Sequence, residues 1–153
     1  MTRAVLEAQV KESLDRSELA FAQGQSQFFE QFAEDAVIFT ADSPEPIKGR
    51  EAYRQRYQAA LSAQHCDKTI LDRKIQIVGD KAVVTQKARI TQGETSANVS
   101  QTMVYGLTRE GLKVLHAQTS FLAPFATATT ESATVQVVNE RIAAVPEVVG
   151  VAQ

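Results

Sequence analysis

The second half of the chain is a succession of long strand patterns joined by very short turns. From residue 69 to 78 apolar and polar residues alternate, as they do in a strand with one buried face. Turn residues follow at Gly79-Asp80, Gln92-Gly93-Glu94 and Arg109-Glu110-Gly111, and the intervening segments again read as strands. Sheets twist, so hairpins of this length cannot form a flat layer. Since helical patterns occur only before them, the sequence predicts a bent sheet wrapped around N-terminal helices.

The first part of the chain carries the helical patterns. Apolar residues at helical spacing form one stripe: Leu6, Val10, Leu14, Ser17 and Phe21. Thr2 is a suitable N-cap for this helix, and Gly24 follows its expected end. Ser26 starts a short second helix, residues 36–40 form a strand, and residues 50–63 form a third helix after a loop with two prolines.

The length of 153 residues suits one domain with its own core. We predict this domain over residues 1–125. Residues 126–153 are a Thr/Ala/Ser-rich linker and tail of unassigned structure, in which residues 135–145 fit either a strand or a short helix.

Charge and cysteine content bear on the expected partners and compartment. The formal net charge is −2 and the basic residues are scattered, whereas a duplex binder needs a concentrated basic face. Cys66 is the only cysteine, so no intrachain disulfide is possible. No apolar stretch approaches the ~20 residues that span a bilayer. Glu7 and Lys11 interrupt the segment where a signal peptide would be apolar. We therefore expect a cytoplasmic protein without nucleic-acid or membrane partners.

Three segments follow one another in the same order as similar segments of a known superfamily: Phe32-Ala-Glu-Asp-Ala-Val-Ile-Phe39, Pro46-Ile-Lys-Gly-Arg-Glu-Ala-Tyr53 and Arg109-Glu-Gly-Leu-Lys-Val-Leu-His-Ala-Gln-Thr-Ser120. From about Leu6 to Phe121 the chain resembles the nuclear transport factor 2-like superfamily, also described as SnoaL-like or cystatin-like α+β. The His-x-x-x-Ser ending is most similar to the calcium/calmodulin-dependent kinase II association domain and its stand-alone bacterial relatives. The resemblance implies an α+β fold, with N-terminal helices packed on a strongly curved antiparallel sheet that forms a cone with an internal pocket.

The last strand supplies the first candidate site. Strand alternation puts His116, Gln118 and Ser120 on the face of Val114, and the resemblance implies that this face lines the pocket. His116 is the candidate proton shuttle, because histidine is the side chain whose ordinary pKa lies nearest neutrality. Ser120 adds a hydroxyl, and Gln118 offers donors and an acceptor for a ligand. The alternative is that His116 is a structural histidine of the sheet.

Thr40 is a candidate because ketosteroid isomerases of this superfamily have their aspartate base at the corresponding place. The threonine means that the isomerase mechanism does not transfer, although its hydroxyl is expected at the pocket mouth. Asp42 follows two residues later and is interpreted as a loop carboxylate that bonds a backbone amide.

Four further residues are candidates for the pocket lining. Tyr53 and Tyr57 share the apolar face of the third helix, where each is either a pocket phenol or a core residue. Tyr105, on the strand over residues 97–108, is likewise either a pocket phenol or a core residue. Met103 stands where the kinase association domains have a pocket arginine, which removes the basis for their kind of carboxylate binding.

Three functions are considered, and the residues do not decide whether the chain is an enzyme. The first is binding of a small apolar, carboxylate or carbonyl ligand, with simple acid/base catalysis of the isomerase, cyclase or dehydratase type and without a cofactor. The second is a non-catalytic association module that forms dimers or larger rings. A metal-free carbonic anhydrase would use Thr40, Tyr57, His116 and Ser120. No metal site is expected, because adjacent residues such as His65-Cys66-Asp67 rarely face one ion.

Overall fold

The computed structural model describes residues 1–63 and 66–122. The elements in chain order are helix α1 (Arg3–Ala22), a 3₁₀ helix (Ser26–Gln31), strands β1 (Phe32–Phe39) and β2 (Ile47–Lys48), helix α2 (Arg50–Ala63), and strands β3 (Asp67–Val78), β4 (Lys81–Gln92), β5 (Thr95–Thr108) and β6 (Gly111–Phe121). The predicted helices and long strands are all present, within a few residues of their expected bounds. The domain boundary at residue 125 and the tail over 126–153 lie outside the described residues. None of the described helices combines the length and apolar character needed to cross a bilayer.

The strands form one curved, open sheet in the order β2-β1-β6-β5-β4-β3. The sheet is mixed, because β1 runs parallel to β6 while the other pairings are antiparallel. The long connection through α2 and three strands allows this parallel pairing. The loop before α2 also contributes to the sheet, since Ile47 and Lys48 pair with β1 just beyond the second proline.

An aromatic cluster joins the helices to the concave face of the sheet. Its members are Phe21, Phe28, Phe29, Phe32, Tyr53 and Tyr57. The Phe28 ring lies 5.4 Å from the Phe29 ring and 5.9 Å from the Phe32 ring, centroid to centroid. It also lies 6.3 Å from the Tyr53 ring, and its side chain is fully buried. Tilted and edge-on ring pairs of this kind add to the free energy gained by burial.

The start of α1 follows the sequence prediction, since the Thr2 hydroxyl accepts a hydrogen bond of 3.2 Å from the Val5 amide. Past its end, Gly24 has a φ of +66°, which favours glycine. A β-carbon on Gly24 would lie 3.0 Å from the Leu61 carbonyl oxygen. Gly24 therefore allows both the turn and the close approach of α2.

We expect Gly24→Ala to lower the free energy of unfolding by about 2–3 kcal/mol, since a left-handed non-glycine residue alone costs about 1–2 kcal/mol. Gly93→Ala is the matched control, because Gly93 has a φ of +61° and nothing within 4 Å of an added β-carbon. Urea denaturation of both variants measures the difference. Equal losses in the two variants would show that the Leu61 carbonyl does not crowd residue 24.

Candidate functional site

A β-bulge in β6 determines which residues of the last strand face inward. Tyr105 pairs with Val114, but Val104 pairs with His116, so β6 has one more residue than β5 at this point. Val114 is fully buried against the helices, whereas His116 is half-buried on the other side of the sheet with Val104. Gln118 and Ser120 follow His116 outward and are exposed. His116, Gln118 and Ser120 therefore share one face as predicted, but Val114 does not share it, and this face is the outer one because the extra residue reverses the alternation.

On the outer side of the sheet, His116 is part of a mainly apolar row. The register aligns four half-buried side chains across four strands, and we call them the outer row: Val83, Val104, His116 and Val37. The His116 ring also packs against Phe39, with 5.7 Å between ring centroids. His116 therefore lies within an apolar surface that faces away from the helices.

A row of polar side chains crosses the concave face. The register pairs Arg73 with Gln86, and Gln86 with Gln101. Gln101 pairs with Thr119, and Thr40 follows directly after Phe39, which pairs with Gln118 at the end of β1. We call these five residues the inner polar row. Thr119 is 2% exposed, Gln101 1% and Thr40 5%. Polar groups buried to this extent need hydrogen-bond partners from the protein or a ligand.

Hydrogen bonds connect one half of the inner polar row to α1. Arg73 Nε donates to Gln86 Oε1 over 2.8 Å, and Gln86 Nε2 donates to Gln101 Oε1 over 2.7 Å. The other end of the Arg73 guanidinium donates to the Glu18 carboxylate on α1. Lys68 Nζ lies 3.9 Å from the same carboxylate. The guanidinium is therefore fixed on both sides.

At the β1 end of the inner polar row, a phenol and a carboxylate are in contact. The Tyr57 hydroxyl lies 2.9 and 3.0 Å from the two Asp42 carboxylate oxygens. Burial, together with the Asp42 charge, raises the pKa of Tyr57 well above its usual range, although the Thr40 hydroxyl and Arg56 act in the opposite direction. The phenol therefore stays neutral and remains a hydrogen-bond donor.

Arg56 lies beside this phenol–carboxylate pair. Its guanidinium is 3.7 Å from Asp42, and its central carbon is 5.1 Å from the centroid of the Tyr57 ring. The Asp42 side chain is 25% exposed, so its carboxylate contacts solvent on one side and the buried Tyr57 hydroxyl on the other. Asp42 bonds a phenol here rather than the backbone amide that the sequence suggested.

The remaining candidates divide between the core and the concave face. Tyr53 is fully buried in the aromatic cluster. Met103 and Tyr105 are buried on the concave side of β5, the side that also carries Gln101. Thr40 and Tyr57 lie together, whereas His116 is on the opposite face, so the residue set for a carbonic anhydrase is divided between two surfaces.

Sequence reasoning missed most of the inner polar row. Gln86 had a detectable signal, because it is the single polar residue among the inward positions of β4, which are otherwise Ala82, Val84, Ala88 and Ile90. Thr119 had none, because simple alternation assigns it to the outer face. In the described part of the chain, no three His, Cys, Asp or Glu side chains lie close enough to hold a metal ion.

Comparison with known proteins gives a family match and many similar structures. The model of a family described as SnoaL-like domain matches residues 10–124. A nuclear transport factor 2-like protein of unknown function from Pseudomonas putida is 21% identical, with a TM-score of 0.71 over 84% of this chain and 93% of that one. A candidate dehydratase of the same fold family from Streptomyces avermitilis is 18% identical, with a TM-score of 0.71 over 80% of this chain and 100% of that one.

A candidate calcium/calmodulin dependent protein kinase II association domain from Xanthomonas campestris is also similar. It is 19% identical, with a TM-score of 0.66 over 77% of this chain and 88% of that one. No curated protein matches the chain. At these identities the structures establish the shared fold alone.

Proposed function

The chain belongs to the SnoaL-like domain family, and on that premise we propose that it binds a small carbonyl-containing ligand against the concave face of the sheet and performs acid/base chemistry on it. The observation that carries the proposal is the contact of Tyr57 with Asp42 at the end of the inner polar row. Here a neutral donor, a carboxylate and a route to solvent occur together.

Asp42 and Tyr57 have the properties required for removing a proton next to a carbonyl group. When the ligand binds, the Tyr57 phenol turns its one O–H from Asp42 to the ligand's carbonyl oxygen, and its raised pKa keeps it protonated. An Asp42 oxygen takes the proton as the carbon–hydrogen bond breaks, and the electron pair moves onto the carbonyl oxygen. The proton then returns to the same or another carbon, so the reaction needs no external oxidant or reductant.

This chemistry is shared by isomerases, dehydratases and some cyclases, and the candidate dehydratase with the same fold supports that reaction class. A ketone with exchangeable α-protons tests the proposal without knowledge of the natural substrate. We expect the full chain to accelerate deuterium exchange into the α-position of 1-indanone in D₂O, followed by proton NMR. Exchange at the rate of buffer alone would contradict the proposal.

We expect His116→Ala to exchange 1-indanone protons at the wild-type rate, because the imidazole lies on the outer side of the sheet with Val104. The same NMR assay measures this. A loss of about tenfold or more would assign His116 the acid/base role that its sequence context first suggested.

The outer row supports a second, compatible function. We propose that two copies of the chain associate through this surface, where Val83, Val104 and Val37 form an apolar strip around His116. Contiguous apolar surface rimmed by polar residues is typical of protein–protein contacts. The similarity to a candidate association domain agrees with such pairing.

We expect Val104→Asp to weaken self-association by about tenfold or more, because it places an unpaired charge within an apolar contact. Leu107→Asp is the control, since Leu107 is 56% exposed on the same strand but belongs to the opposite side. Sedimentation velocity over a concentration series measures both variants. A wild-type chain that remains monomeric at micromolar concentration would exclude this function.

A further inference from the structure

Two buried threonines lie side by side at the β1 end of the inner polar row. Phe39 of β1 pairs with Gln118 of β6, and Thr40 and Thr119 are the next residues of these two segments. Neighbouring strands are about 4.8 Å apart, so the two side chains are close neighbours on the concave face. The Thr40 hydroxyl in turn lies within reach of the Tyr57 phenol. Thr40 therefore stands between Thr119 and the phenol that donates to the ligand's carbonyl oxygen.

The Thr119 hydroxyl is buried without a hydrogen bond. The residue is 2% exposed, and its hydroxyl oxygen has no hydrogen-bond partner among residues 1–63 and 66–122. Gln101, which faces Thr119 across the strand pair, is engaged with Gln86 and in a further contact. A buried hydroxyl in this state destabilises the folded chain, so its presence needs an explanation, and a bound ligand is one.

The packing of the free protein does not explain why residue 119 is a threonine. Valine has the same branched shape and also favours strands. Apolar residues suit this face, since Val99 and Met103 of β5 and Ala117 of β6 are buried on the same side. A valine would fill nearly the same space without leaving a polar atom unbonded. The hydroxyl therefore fits a role in binding better than a role in packing.

We propose that the Thr119 hydroxyl donates to a second oxygen of the ligand, distinct from the carbonyl on which Asp42 and Tyr57 act. This inference rests on the proposed function and deepens it, because it extends the substrate class to ketones with a further acceptor oxygen. Tyr57 and Thr119 have one O–H each, so each of the two ligand oxygens receives one hydrogen bond. The second oxygen is an ether or hydroxyl a short distance from the carbonyl group, and Thr119 selects for it.

Two bicyclic ketones that differ at one ring position test this assignment. Chroman-4-one has an ether oxygen where 1-tetralone has a CH₂ group, and the two molecules otherwise have nearly the same shape. Both offer Tyr57 the same carbonyl oxygen, so a change in the ratio of their dissociation constants reports on the second oxygen. Calorimetry or NMR titration of the full chain gives this ratio for wild type and for each variant.

We expect Thr119→Val to shift this ratio by about fivefold in favour of 1-tetralone, the effect of losing one buried hydrogen bond between neutral groups. The hydration of the free ketones is the same in both titrations, so it cancels in the comparison. Thr119→Ser keeps a hydroxyl and should keep the wild-type ratio. Thr102→Val is the matched control and should also keep it, because Thr102 pairs with Gln118 on the outer side of β5. Equal ratios in wild type and Thr119→Val would overturn the proposal.

Tyr57→Phe determines which donor takes which oxygen. This variant lacks the phenol O–H, and both ketones carry the carbonyl group that the phenol contacts. We expect both to bind several-fold more weakly by about the same factor, with their ratio unchanged. A Tyr57→Phe variant that loses the wild-type ratio, beside a Thr119→Val variant that keeps it, would overturn the assignment.

The stability of the free protein separates ligand binding from structural support. Because the Thr119 hydroxyl has no partner in the described part of the chain, Thr119→Val should unfold at the same urea concentration as wild type or at a higher one. A clearly lower midpoint would show that the hydroxyl supports the fold, and would overturn the proposal.

Deuterium exchange into 1-tetralone separates this inference from the proposed function. If 1-tetralone exchanges its α-protons in D₂O while the ratio of dissociation constants is indifferent to Thr119, the inference fails and the proposed function stands. If neither ketone binds or exchanges, both fail.

Discussion

Asp42→Asn is expected to slow the protein-dependent exchange of 1-indanone α-protons by about 100-fold or more, the usual contribution of a general base. Asparagine has nearly the same shape, and its oxygen can still accept the hydrogen bond from Tyr57, so the local structure should persist. The amide cannot take up the proton. Binding of 1-indanone should change much less than the exchange rate, because in the ketone complex the one O–H of Tyr57 donates to the carbonyl oxygen instead of to residue 42.

Glu45→Gln is the matched control for this variant. Glu45 is an exposed residue in the same loop, and the hydrogen bonds described for it join its backbone N–H and carbonyl to the Ser43 hydroxyl. Its neutralisation should leave exchange unchanged. An Asp42→Asn variant that exchanges at the wild-type rate would remove Asp42 from the chemistry and leave the phenol contact as a structural feature.

Phe28→Ala should cost about 3–5 kcal/mol of unfolding free energy, the range for deleting a large buried aromatic side chain. Phe28 is fully buried and touches four other rings, from α1, the 3₁₀ helix, the start of β1 and α2. Its removal leaves a cavity where the helices meet the sheet. Domains of this size are stabilised by about 5–15 kcal/mol, so the loss is a large fraction of the total.

Val78→Ala is a suitable comparison, because Val78 is 61% exposed at the end of β3 and should change stability by less than about 0.5 kcal/mol. Denaturant unfolding followed by circular dichroism measures both variants. A Phe28→Ala variant as stable as Val78→Ala would mean that the aromatic cluster does not hold the helices on the sheet.

The helices and turns were predictable because their signals are local. Thr2 caps α1 through its own side chain, and the glycines at 79 and 93 occupy the left-handed positions that tight hairpin turns require. The helical stripe of α1 and the alternation in β3 and β4 likewise depend only on neighbouring residues. The parallel pairing of β1 with β6 depends on distant segments, and nothing in either strand alone indicates it.

The candidate site was only partly predictable, because the one extra residue in the β-bulge reverses the face on which every later side chain of β6 lies. Thr40 and Tyr57 are both buried and lie next to each other. His116, Gln118 and Ser120 lie on the outer face rather than the predicted inner one, since the bulge after Val114 reverses the faces of β6. Gly106 on β5 leaves room for the side chain of the extra residue, Leu115, since a β-carbon there would lie 2.6 Å from Leu115 Cδ1, but no residue of β6 itself signals the bulge. Its position is set by the pairing of β6 with two neighbours at once.

The bulge gives the two sides of the sheet different roles. It directs Thr119 into the inner polar row and leaves His116 in the outer row. The ligand site and the association surface therefore share strands but not side chains. A dimer formed through the outer rows would keep both concave faces separate, so the two proposed functions do not compete.

The position of a bound ketone tests the central claim most directly. Intermolecular NOEs between 1-indanone and assigned methyl groups of the full chain give that position. The account predicts NOEs to the methyl groups of Thr119 and Met103, which are buried on the concave side. NOEs only to Val104 and Val37, whose side chains belong to the outer row, would contradict it.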